Sequence, residues 1–125
     1  MTIESNRPID ERDAASARNL RIRLLNDQLR AFPFPPRGQM VFTRGVAALP
    51  GDDLGEVLHQ VQTFDAFSPD NDPHGEHDFG SFEHSGVRYF WKIDYYDLEK
   101  TYGSPNPADP SVTCRVLTVM RADEY

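Results

Sequence analysis

Two runs of mixed aromatic and polar residues, Phe79–His84 and Val87–Tyr96, flank the dipeptide Ser85-Gly86. A two-residue connection between strand-like runs specifies an antiparallel hairpin with a tight turn. The turn also fixes the register. His84 opposes Val87, Glu83 opposes Arg88 and Phe82 opposes Tyr89. The Glu83–Arg88 pair supports that register, because opposite charges favour cross-strand neighbours. One hairpin face then carries Phe82, Val87, Tyr89, Trp91, Ile93 and Tyr95. The other carries Glu83, Arg88, Lys92 and Asp94, with Phe90 as the apolar exception.

The remaining elements follow from periodicity. Asp10 is placed to cap a helix that runs to about Ala31, with Glu11 and Asp13 in its first turn. Ala15, Ile22, Leu25, Leu29 and Phe32 form its apolar stripe, and Leu20 and Leu24 widen it. Asp27 and Arg30 form an i, i+3 surface pair. Pro33, Pro35 and Pro36 end the helix. A short strand is expected over Gln39–Thr43, while Val46–Leu49 fits either strand or loop. Asp52 or Asp53 is expected to cap a second helix to about Phe64, with Leu54, Val57, Leu58, Val61 and Phe64 on one side. Val112–Arg121 reads as the last strand, and its apolar groups on both faces favour a central position. The resulting class is α+β, order α-β-α-β-β-β. Two helices pack on one face of a three- or four-stranded antiparallel sheet. Residues 1–9 are expected to form a flexible tail and residues 10–125 a single domain.

A chain of 125 residues can bury one core without a disulfide or metal. Cys114 is the only cysteine, which fits a reducing, cytoplasmic setting. The N-terminus lacks the apolar run of a secretory signal, and no stretch approaches a membrane span. The net charge of −7 is unevenly spread. Residues 1–46 hold eight Arg against five acids, and residues 47–125 hold five Lys or Arg against fifteen acids. Direct binding to duplex nucleic acid is disfavoured by that balance. A basic protein partner is favoured instead.

Asp65–Asp78 is a long acidic loop with two His and no Lys or Arg. Within it, Asp70, Asp72, His74, Glu76, His77 and Asp78 combine carboxylates with imidazoles, donors suited to a divalent transition metal. An EF-hand alignment puts Asp70, Asp72 and His74 at positions 1, 3 and 5 and Gly75 at position 6. It fails at position 12, which is Ser81 rather than a bidentate Glu. His74 and His77 do not fit the helical zinc spacing either. The competing reading is an ordered turn, in which Asp and Asn cap their own backbone and Gly75 takes a positive φ. Cys114, in an alternating apolar strand, reads as a small buried hydrophobe rather than a nucleophile.

The segment PDNDPHGEHDFGSFEHSGVRYFWKIDYYD, followed by GSPNPADPSVTCRVLTVMRADEY, resembles a bacterial family of small uncharacterised proteins, a domain of unknown function. RIRLLNDQLR and FTRGVAALP match the same pattern, so the resemblance covers roughly residues 20–125. Its PHGEHDFG, FWKIDYYD and NPADPS blocks occur together and in order. The resemblance implies no activity, cofactor or catalytic residue. It implies a setting, mainly alphaproteobacterial and often on plasmids or other mobile elements. That setting suggests an accessory or anti-defence role, against restriction or CRISPR systems.

The preferred reading is therefore a non-enzymatic acidic module without cofactor, which binds a basic protein, for example within a nucleic-acid-processing complex. Asp70, Asp72, His74, Glu76, His77, Asp78, Asp94, Asp97 and Glu99 would meet that partner, with Phe90 and Tyr96 as apolar anchors. The alternative is a metal-binding protein or metal-dependent hydrolase, with His74, His77, Asp72, Glu76 and Asp78 as candidate ligands and one divalent metal bound.

Overall fold

The computed structural model describes residues 11–125, so the expected tail and the Asp10 cap lie outside the described residues. The elements are α1 (Glu11–Ala31), β1 (Gln39–Phe42), α2 (Arg44–Ala47), α3 (Gly51–Thr63), β2 (Phe79–His84), β3 (Val87–Tyr96) and β4 (Cys114–Arg121). Short 3-10 turns lie at Pro110–Val112 and Ala122–Glu124. The α+β class is as expected. None of these helices is long and apolar enough to cross a membrane.

The hairpin forms in the expected register, with Glu83 and Arg88 paired at 2.8 Å. Ser85 and Gly86 both take positive φ, the requirement of a turn whose twist matches that of the strands. The four strands lie in the order β1-β4-β3-β2, which places β4 inside the sheet. The sheet is not fully antiparallel, however. β1 pairs with β4 in parallel, Gln39 opposite Val116 and Phe42 opposite Val119. A tight turn dictates antiparallel pairing only between consecutive strands. β1 and β4 are joined through two helices and a hairpin, and such a path permits either direction.

Both long helices cover one face of the sheet. The core joins Leu29 of α1, Val46 of α2, and Val57 and Val61 of α3. Tyr89, Trp91 and Ile93 of β3, with Leu117 and Val119 of β4, complete it. Leu54 and Phe64 pack on its margin, as the periodicity of α3 requires. The segment after β1, undecided in sequence, is the single helical turn α2. The helix cap differs from expectation. Pro50, not Asp52 or Asp53, is the N-cap of α3, and no side chain caps it. Pro50 already presets a φ of −55°. Asp53 instead reaches across to His84 Nε2 at 2.9 Å.

The stripe of α1 is the largest departure. Its buried residues are Ile22, Asn26, Leu29 and Arg30. Leu20, Leu24 and Phe32 are exposed. Arg30 is no surface residue. Its Nη1 donates to the carbonyls of Val61 and Phe64, each at 2.9 Å, while Asp27 sits 3.2 Å from Nη2. The guanidinium thus closes the C-terminal end of α3, where carbonyls lack helical partners. It also lies over the Trp91 ring, 4.6 Å from the centroid. Two polar residues on the inward side rotate the helix so that its leucines at 20 and 24 face outward.

Candidate functional site

The acidic loop folds back on itself and then onto α1. Asn71 accepts from the Ser68 amide and donates to the Ala66 carbonyl, each at 2.9 Å. The Asp72 amide donates to the Ser68 carbonyl. Asp72 turns its carboxylate inward and accepts from the amides of Glu76 (3.1 Å) and His77 (3.2 Å). Gly75 takes a φ of 65°, and His77 a φ of 55°. Short polar side chains thus close this turn through their own backbone.

His77 fastens the loop to the first helix. Its Nδ1 donates to Asp27 Oδ1 at 2.8 Å, and its Nε2 lies 3.6 Å from Asp72 Oδ2. The ring stacks on Phe67 at 3.7 Å between centroids. Behind it runs a buried polar chain. Arg115 Nε donates to Asn26 Oδ1 (2.9 Å), and Asn26 Nδ2 donates to Tyr95 Oη (2.8 Å) and to the Glu76 carbonyl (3.0 Å). Tyr95 Oη in turn donates to Glu76 Oε1 at 2.8 Å. Burial, more than any neighbouring charge, pushes the Tyr95 phenol well above its ordinary range, so the proton that Glu76 accepts stays on tyrosine. Burial likewise lowers the Arg115 guanidinium, with Tyr95 and Glu76 acting against it. Asp78 is held above the usual carboxylate range, first by burial and then by the charge of Glu76.

The candidate metal ligands are therefore divided. Both ring nitrogens of His77 face carboxylates, Asp72 is engaged with backbone amides, and His74 and Asp70 stand exposed. Among the described residues, no three His, Cys, Asp or Glu side chains group to hold a metal ion.

Of the remaining candidates, Phe90, Asp94 and Tyr96 occupy the other face of the sheet, while Asp97 and Glu99 lie in the turn after β3. Alternation along β3 sends Tyr95 toward the helices and Asp94 and Tyr96 away from them. Asp94 thus lies on the opposite side of the sheet from the acidic loop. On the outer side, Phe90 is half-buried between Phe79 (centroids 5.3 Å apart) and Tyr125 (5.5 Å). It pairs across the sheet with buried Met120. Lys92 and Asp94 form an ion pair at 2.9 Å beside them. Asp97 caps its own turn by accepting from the Thr101 amide at 2.9 Å, and Glu99 is exposed in the same turn. Cys114 is half-buried and opposite Tyr96.

Asn26, Asp27, Arg30, Tyr95 and Arg115 organise the loop side, and none was singled out from sequence as a site residue. A signal was present. Asn26 and Arg30 share the inward phase of Ile22 and Leu29, and Arg115 is a charged residue beside the apolar run Val116-Leu117 of the interior strand. Buried polar residues in such positions must satisfy one another.

No curated protein and no solved structure matches the chain. A family model described as protein of unknown function (DUF3768) matches residues 42–124, from the end of β1 to the turn after β4. That match takes in more than half of the chain, the whole of the hairpin and the acidic loop, and the chain belongs to this family.

Proposed function

We propose that this domain is a non-enzymatic binding module that docks a basic protein on the outer face of its sheet. The observation that carries the reading is the aromatic group in which half-buried Phe79 and Phe90 meet exposed Tyr125, set over Met120 on a sheet face that neither long helix covers. Antiparallel sheets with one solvated face ordinarily place polar residues there. Aromatic side chains flanked by charged residues are instead the composition of an interface core and its rim. Tyr96 extends the group along β3.

Charge argues for a basic partner. Arg88 and Lys92 on this face are each paired with an acid, at 2.8 and 2.9 Å. The surrounding chain, residues 47–125, holds fifteen acids against five Lys or Arg. Such a surface steers toward a basic one and can occupy the phosphate-binding groove of a nucleic-acid-handling protein. Blocking a protein in that way is what an anti-defence factor would do. The loop Asp70–Asp78, on the helix side, serves in this reading to hold the fold.

Affinity capture from the source cell, in low and high salt, tests the reading with wild type and Phe90→Ser/Tyr96→Ser. A basic protein retained by wild type, released by salt and lost by the folded double variant is expected. The same protein retained equally by the double variant would remove the outer face from the proposal.

A further inference from the structure

Two adjoining clefts of about 460 and 350 Å³ open between the C-terminal half of α1, the turn before β1 and the start of β4. They share Pro36, Arg37, Pro110, Thr113 and Arg115, and form one groove. In a chain with a net charge of −7, neither cleft is lined by an Asp or Glu. The charged residues that line the groove are Arg37, Lys100 and Arg115.

Arg115 is the decisive residue. It is 3% exposed, yet among the described residues no carboxylate lies within ion-pairing distance of its guanidinium. Its Nε and Nη2 donate to neutral oxygens, Asn26 Oδ1 and the Pro107 carbonyl, and its plane rests 5.1 Å from the Tyr95 centroid. Nη1 has no acceptor among the described residues. Glu76 is the carboxylate on this chain of contacts, and it is reached only through Asn26 and Tyr95. A buried guanidinium is ordinarily paired. Here Glu76 acts on the guanidinium only from the far side, and no acid lines the groove. Arg37 lies exposed at the rim against Phe32, and Lys100 reaches Gln39 Oε1 at 2.7 Å.

We infer that this groove binds a small organic oxyanion, a carboxylate or phosphate with an apolar body. The anionic head would sit among Arg115, Arg37 and Lys100, and the body against Leu25, Pro36 and Pro110. The volume suits such a ligand, and a mostly apolar lining with a few convergent polar groups is the usual make-up of a ligand pocket. Arg is suited to the head because its planar fork matches an oxyanion. The inference is independent of the outer-face proposal, which involves neither Arg37 nor Arg115.

The test is an amide NMR titration at constant ionic strength with phenyl phosphate, inorganic phosphate and benzyl alcohol. Phenyl phosphate should give saturable shifts at Arg37, Thr113 and Arg115. Inorganic phosphate should bind the same residues more weakly, and benzyl alcohol should leave them unmoved. Arg37→Gln with Lys100→Gln changes only exposed side chains, so the fold is retained, and it should weaken phenyl phosphate by about tenfold. An absence of saturable shifts would overturn the inference. So would equal affinity in the double variant, or equal binding of benzyl alcohol.

Discussion

Asn26 and Arg115, 89 positions apart in sequence, meet through a 2.9 Å hydrogen bond at the junction of the first helix with the last strand. Both are almost completely buried. The asparagine side chain makes three hydrogen bonds there, accepting from Arg115 and donating to Tyr95 and to the Glu76 carbonyl. One side chain therefore ties together α1, β3, β4 and the acidic loop.

Replacing Asn26 by Leu keeps the approximate volume but leaves the guanidinium, the Glu76 carbonyl and the phenol each short of a partner. The expected cost is about 2–4 kcal/mol. Urea denaturation should show a lower midpoint with an unchanged slope. A midpoint equal to that of wild type would mean that the network contributes no net stability.

Gly80 lies opposite Trp91 in the hairpin, and a Cβ added there would fall 2.6 Å from Cε2 and 2.8 Å from Cζ2 of the indole. Trp91 is fully buried among Phe64, Phe67 and Arg30, so it has no room to retreat. Gly80→Ala is expected to cost about 1–3 kcal/mol as an overpacked core. Trp91 is the only tryptophan, so its emission reports the displacement directly. Combining Gly80→Ala with Trp91→Leu should recover part of the loss. Strict additivity of the two substitutions would contradict the contact.

Asp78 supplies a pH dependence. Burial and the nearby charges of Glu76 and Asp72 hold its carboxyl above the ordinary 3.8. The folded chain thus binds this proton more tightly than the unfolded one. The contribution favours folding below the ordinary value and is lost as pH rises through the raised folded value. Asp78→Asn should accordingly melt higher than wild type near neutral pH, with the gap closing on acidification. Thermal melts across that range check the sign, and a gap that widens in acid would refute it.

The Asp72 side chain is 6% exposed and holds two loop amides. Asp72→Ala should cost about 1–3 kcal/mol and accelerate hydrogen exchange at Glu76 and His77. Partner capture through the outer sheet face should be unaffected by this variant. Loss of capture with unchanged exchange would instead assign Asp72 to the partner.

Local chemistry was sufficient wherever a structural choice is made between neighbours. The Ser85-Gly86 turn determined the hairpin register, the spacing of Val57 and Val61 determined the buried side of α3, and apolar groups on both faces of the last strand marked it as interior. The loop's self-capping was also legible, because Asp72, Asn71 and Gly75 act within a few residues of themselves. Tertiary structure alone decided the rest. The parallel pairing of β1 with β4 joins strands with no turn between them. The rotation of α1 follows from Asn26 and Arg30, polar residues whose burial becomes favourable only when partners 31 to 89 positions away arrive. The same is true of the groove. Arg37, Lys100 and Arg115 are scattered in sequence, and only folding brings three cations to one opening. Sequence periodicity reports which side of an element is apolar, whereas the pairing of buried charges depends on long-range contacts that no local pattern encodes.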